Sequence, residues 1–249
     1  MKVMNDYFSN RATVRHYKDK EISDAMLTSI IERAMWAPTC GNMQLYSVIA
    51  TRDKERKKEL AAMHYNQPAA TEANVILTIC ADFNRWTRWC SLRGAEPGYN
   101  NFHSFIMAMT DAVIFAQQIV TIAEMEGLGS CYLGTVNYNA AEISDLLELP
   151  EMVIPVAALS IGYPAETPSK SERLPVEAVL HTEVYRKDND NDVLGLFKDK
   201  EEFPANVEFV QQNGKPSLAH IFTDIRYPRD VNEKVSETFH QLLKDKGFI

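Results

Sequence analysis

Apolar positions along the chain change their period several times, and each change marks an element. From Ile22 to Met35 they recur at Ile22, Ala25, Met26, Ile30 and Ala34, with Ser23 at the start and Pro38 just beyond, which predicts an amphipathic helix. YSVIAT (46–51) is a short β-branched run, and ANVILTICA (73–81) is an unbroken apolar one of the kind buried on both faces of a sheet. Between them, 53–64 reads as a charged helix. The most apolar stretch predicts a long helix over 102–126, ended by Gly127. GLGSCYLG (127–134) reads as a glycine-bracketed strand and turn, 140–147 as a short helix closed at Pro150, and 153–161 as another apolar strand. The aromatic-rich stretch 82–101 reads as irregular. Four strands with intervening helices make an α/β or α+β sheet, with the core ending near Tyr185. Beyond it, 186–217 is polar and poorly periodic, a linker or surface arm, before an amphipathic helix over 231–246. The expected organisation is a domain over 1–185 and a C-terminal extension over 186–249 that is not an independent domain.

Composition narrows the function more than the fold. With 249 residues, 45% hydrophobic and 24% charged, the chain has material for a substantial core. A formal charge of −8 repels phosphate backbones, so nucleic-acid binding is not expected. The first twenty residues lack the apolar run of an export signal, and Cys40, Cys80, Cys90 and Cys131 show no disulfide or zinc spacing. These features predict a cytoplasmic protein with reduced thiols. The 105–123 stretch is long enough to span a bilayer but contains Asp111, Gln117 and Gln118, so a buried helix is expected instead.

The familiar catalytic signatures, GxSxG, HExxH, the Walker loop and GxGxxG after a strand, do not occur. Three polar clusters remain. Arg11, Thr13 and Arg15 alternate with Ala12 and Val14, so an extended chain would turn two guanidiniums and a hydroxyl to one side. That is an anion pocket, or else a solvated basic stretch. Pro38–Gln44 (PTCGNMQ) brings small and amide-bearing residues between a helix and a strand, fitting either a loop against a planar heterocycle or a plain helix stop. Cys40 in it has no recognisable histidine partner for nucleophilic catalysis. Lys170 and Arg173 lie in a stretch stiffened by Pro164, Pro168 and Pro175, which by itself is a charged loop.

Taken in order over residues 5 to 185, NRATVRHY, APTCGNMQ, YNQPAATEANVILTICADFNR, GLGSCYLG and LPEMVIPVAALSIGYPAETPSKSERLP resemble the FMN-dependent nitroreductase family, and within it the oxygen-insensitive NADPH nitroreductases and flavin reductases. The resemblance implies an α+β sandwich with a central, mostly antiparallel sheet flanked by helices, in an intertwined homodimer with two interfacial FMN sites. It implies that Arg11, Thr13 and Arg15 hold FMN, that Lys170 or Arg173 joins Arg11 at the phosphate, and that Thr39, Cys40, Gly41 and Gln44 come from the partner subunit. Gln67 matches the family's ring-binding amide, and Tyr132, Leu133, Gly134 and Thr135 the segment that passes the ring with its backbone. The family's usual serines at 39–41 are Thr-Cys-Gly here, and its late Lys-Pro-Arg is Lys-Ser-Glu-Arg. The implied chemistry is hydride transfer from NADPH or NADH through flavin N5 to nitroaromatics, quinones or flavins, in ping-pong fashion and without a catalytic side chain. Acceptor choice would lie with the aromatic segment 83–105, and Lys198, Lys200, Lys215 and Arg226 are candidates to meet a 2′-phosphate. The alternative is a flavin-binding redox sensor or storage module with little turnover.

Overall fold

The computed structural model describes residues 7–249, which form two compact units: Thr13–Pro168 with Val235–Ile249, and 7–12 with Ser169–Lys234. The first is built on a four-stranded sheet of β1 (Tyr46–Thr51), β2 (Val75–Asp82), β3 (Gly129–Tyr132) and β4 (Val153–Gly162), in the order β1-β2-β4-β3. Every neighbouring pair is antiparallel, with Tyr46 opposite Ala81, Val75 opposite Ile161 and Gly129 opposite Gly162. The fold is α+β. A register shift at Ile79/Cys80 leaves Val156 as the extra residue beside Pro155, so a residue with no N–H to give sits where the ladder is already broken.

Because β2 is buried along its whole length, its alternate residues serve two cores. Val75, Leu77, Ile79 and Ala81 face a cluster built from α1 (Asp24–Ala34), α5 (Phe102–Met125) and the C-terminal Leu242, Leu243 and Phe248. Ile76 faces the other way, with Ala158, Cys131 and Leu133, onto Leu60 and Ala61 of α2 (Lys54–Met63), Ala69 and Ala70 of α3 (Pro68–Thr71), and Ile143 of α6 (Ala140–Leu146). The helices start where their caps dictate: Ser23 accepts from Met26 N, Asp53 from Arg56 N and Asn101 from Ser104 N. Among the described residues only α5 is long and apolar enough to cross a membrane, and its buried face, Asp111 included, packs against the sheet.

Residues 13–17 are drawn across the β3–β4 ladder. Val14 N donates to Ser130 O, the Tyr17 hydroxyl reaches Val14 O and Ser160, and Lys18 N donates to Tyr163 O. Two glycines make room. A Cβ at Gly129 would lie 2.5 Å from Val14 Cγ2, and one at Gly162 would lie 2.7 Å from Tyr17 Cδ1.

Two stretches depart from the sequence reading. The segment expected to be irregular, 82–101, contains α4 (Asn84–Leu92), whose Trp86 donates to Tyr99 OH while Phe83 stacks on Tyr99. Its N-cap is Phe83, with no capping side chain of its own; the first-turn N–H of Arg85 goes instead to Asp82, the last residue of β2. In the second unit, the 186–217 stretch expected as linker or arm carries α7 (Asp190–Glu202) and α8 (Pro204–Gln212), followed by α9 (Leu218–Ile221) and a wide turn, Phe222–Arg226. A capping box, Asn189 with Asp192, starts α7, and Pro204 opens α8. Apolar residues of α7, α9 and the wide turn meet in a groove of about 280 Å³ lined by Leu194, Phe197, Leu218 and Phe222. The last helix, α10, runs Arg229–Asp245.

Gly129→Ala should lower the stability of the protein by about 1–3 kcal/mol, because Val14 must move off the strand. Urea unfolding should show a lower midpoint with an unchanged slope.

Candidate functional site

The sheet unit holds two separate groupings of the residues singled out above. The first is the 39–44 loop. Cys40–Asn42 form a single tight turn, and Gly41, Asn42 and Gln44 all have φ between 53° and 56°. Three left-handed residues in four cost conformational energy, least at Gly41 and Asn42. A buried carboxylate holds the turn in place. Asp111 of α5 accepts from Thr39 Oγ1 at 2.6 Å, Cys40 N at 2.8 Å and Leu45 N at 3.3 Å, while Thr39 Oγ1 accepts from Gln44 N at 2.9 Å. These donors compensate the burial of a charge inside an apolar helix face. The same carboxylate accepts from the Cys40 thiol and pushes its pKa up, with burial and the negative charge adding to the shift. Cys40 is therefore kept as a thiol and is a poor nucleophile.

Beside this loop a cleft of about 590 Å³ opens, lined by Gln44, Arg85, Trp86, Trp89 and Phe115 among others. Arg85 is held at its wall, donating to Gln44 O at 3.0 Å and Tyr46 O at 3.1 Å.

The second grouping lies at the end of β3. Leu133 is buried and its N–H donates to Ala158 O, whereas Tyr132 and Gly134 are exposed. Nothing lies within 4 Å of where a Gly134 Cβ would be, so the backbone there offers an open face. Thr135 Oγ1 lies 2.7 Å from His64 Nδ1 and accepts from Gln67 Nε2 at 3.4 Å. Gln67 reaches this point through a sharp turn in which Tyr65 and Asn66 have φ of 57° and 49°, and Pro68 opens the next helix. Burial pushes the His64 pKa down from 6.5 to about 4. Thr13 and Arg15 flank Val14 on the strip tied to Ser130 of β3; Thr13 is half-buried, Arg15 exposed, and Arg15 N donates to Glu166.

Arg11, Lys170 and Arg173 belong to the other unit. Lys170 is exposed, and Arg173 turns back to donate to Ser171 O and Glu172 O. The cations offered for a 2′-phosphate are engaged there: Lys200 with Glu172 at 2.6 Å, Lys215 with Asp224 at 2.9 Å, Lys198 with Glu202 at 4.0 Å, and Arg226 over the Phe209 and Phe222 rings. Hydrogen bonds from Lys200 and Asn206 hold Glu172 down to about 2. Sequence reasoning missed Asp111 and His64 as parts of a site. A carboxylate in the most apolar helix was the available sign of the first; the second left none.

Residues 8–163 match the model of the nitroreductase family. The chain belongs to that family. It is 33% identical to the FMN reductase [NAD(P)H] of Bacillus subtilis (strain 168), over 96% of this chain and 95% of that protein. It is 30% identical to the oxygen-insensitive NADPH nitroreductase of Salmonella typhimurium, over 70% and 71% of the two chains. A solved oxidoreductase-type structure from Bacteroides fragilis NCTC 9343 superposes with a TM-score of 0.96 at 44% identity, covering 98% of this nitroreductase-family chain and 99% of that one.

Asp111→Asn sets an amide NH₂ against either Cys40 N–H or Leu45 N–H whichever way it turns, and should cost about 2–4 kcal/mol by chemical denaturation. For His64, the unfolded chain takes up a proton near pH 6.5 and the folded one only near 4. The stability associated with neutral His64 is thus complete above pH 6.5 and is lost as pH falls toward 4, by up to about 3 kcal/mol. Unfolding free energies of wild type and His64→Asn, measured at about pH 7 and about pH 4.5, should show the steeper acid loss in the wild type.

Proposed function

We propose that this nitroreductase-family chain is an FMN-dependent oxidoreductase that takes hydride from NAD(P)H and passes electrons to nitroaromatic, quinone or flavin acceptors. The two half-reactions would follow one another at one site, in a homodimer. The observation that carries the reading is the end of β3: an open backbone face at Gly134, a fixed amide and hydroxyl at Gln67 and Thr135, and an exposed guanidinium at Arg15 on the adjoining strip. That donor set suits a flat, polar-edged, anionic cofactor. The names of the Bacillus and Salmonella relatives support the same cofactor and co-substrate.

When bound, FMN supplies hydride acceptance and donation at its ring. Gln67 and Thr135 would orient the ring edge, and the 132–135 backbone would set its plane. Arg15 would place positive charge where electron uptake puts negative charge, an electrostatic contribution built before the reaction starts. Arg11, with Lys170 or Arg173, would neutralise the phosphate. The loop on Asp111, carrying Thr39, Cys40, Gly41 and Gln44, would complete the site of a second subunit. Exposed Val113 and Ile114 on α5, the helix that carries Asp111, support such a partner. Cys40, Cys80, Cys90 and Cys131, as thiols, fit the reducing cytoplasm.

The purified protein should be yellow, and NADPH should bleach it within seconds, with colour returning on addition of a nitroaromatic or quinone. Replacing Arg11 and Arg15 together by Ala should weaken FMN binding by about 100-fold or more, since each removes a charge-assisted contact. Full FMN occupancy in that double variant would overturn the assignment. A yellow protein that NADPH fails to bleach would favour the storage or sensor alternative.

A further inference from the structure

His64 is a fully buried imidazole, with one nitrogen bonded and the other, Nε2, lacking a partner. Such a group needs a reason to be there. Its carbonyl and Thr135 Oγ1 both accept from the Gln67 side chain, at 3.2 and 3.4 Å from Nε2. An amide NH₂ has two hydrogens, and these contacts take both, so Oε1 is the end of Gln67 left to a ligand. The orientation is locked. Turning the amide over would set Oε1 against the His64 carbonyl, which has no proton to offer.

The bond between His64 and Thr135 fixes the second group. With the imidazole neutral, one nitrogen carries the proton. Placing it on Nε2 buries an unpaired N–H, whereas placing it on Nδ1 leaves only an acceptor unpaired, the more tolerable deficit. Nδ1–H then donates to Thr135 Oγ1, which already accepts from Gln67, and the hydroxyl proton of Thr135 is turned outward. Burial keeps His64 neutral at physiological pH, as the tautomer argument requires.

We propose that His64 is a positioning residue that makes Thr135 a donor and Gln67 an acceptor side by side, a pair complementary to an adjacent carbonyl and N–H on the edge of a bound ring. The imide-like edge of a flavin has that pattern. The proposal rests on the FMN reading of this site and adds to it the polarity of the two groups and the buried residue that sets it.

The test is a double-variant cycle read as the FMN dissociation constant, from quenching of flavin fluorescence. His64→Leu should weaken FMN binding about tenfold in the wild-type background and by less than about twofold in a Thr135→Val background, because the imidazole acts through the Thr135 hydroxyl. His64→Asn, whose side-chain amide can donate from the Nδ1 position, should restore binding to within about threefold of wild type. If His64→Leu does not fold, Thr135→Val against Thr135→Ser makes the same comparison, with the loss expected only for Val. Equal losses from His64→Leu in both backgrounds, or no difference between Val and Ser at 135, would overturn the inference and leave the FMN assignment intact. A wild-type chain that does not bind FMN would overturn both.

Discussion

The contact on which the site unit depends most is the approach of Val14 and Tyr17 to the two facing glycines, Gly129 and Gly162. Neither glycine has the left-handed backbone that usually explains the residue; the requirement is space alone. With both side chains absent, a strip of chain can lie on the β3–β4 ladder closely enough for Val14 to bond Ser130 and for the Tyr17 hydroxyl to reach Ser160. Burying Val14 leaves its neighbour Arg15 in solvent by simple alternation. The polar strip is thus held by apolar anchors, and a cation can be presented without being buried.

The 39–44 loop solves the opposite problem. Its backbone turns through conformations that L-residues avoid, and a negative charge sunk into α5 restrains it. Burying a lone carboxylate would be very unfavourable, but here it is met by the Thr39 hydroxyl and by the backbone N–H groups of Cys40 and Leu45. The loop and the charge therefore stabilise each other, and neither would persist alone. This also explains a cysteine that is partly accessible yet not reactive.

Much of the sheet was legible because its signals are local. A β-branched run, two unbroken apolar runs and a glycine-bracketed segment located all four strands, and Ser23, Pro38 and Gly127 bounded two of the helices. The family resemblance carried the order of the motifs and the α+β class. What escaped is non-local. Nothing near Thr39 in sequence foretells a carboxylate 72 positions later, and nothing near His64 foretells Thr135. Helix α4 was missed because the carboxylate at its start, Asp82, also ends the preceding strand, and α7 and α8 because neither has a buried residue to mark a face. The partners of Lys200 and Lys215 escaped for the same reason, since Glu172 and Asp224 become their neighbours only on folding.

The guanidinium of Arg85 has one more effect beyond lining the cleft. β1 is the outermost strand of the sheet on its side, and an outer strand with bare carbonyls invites a stranger's backbone to zip onto it. Arg85 occupies the first of them, on Tyr46, together with the Gln44 oxygen just before the strand begins. A guanidinium there leaves an incoming strand one acceptor fewer to pair with, so this arginine would be expected to favour solubility even in a molecule that never turned over.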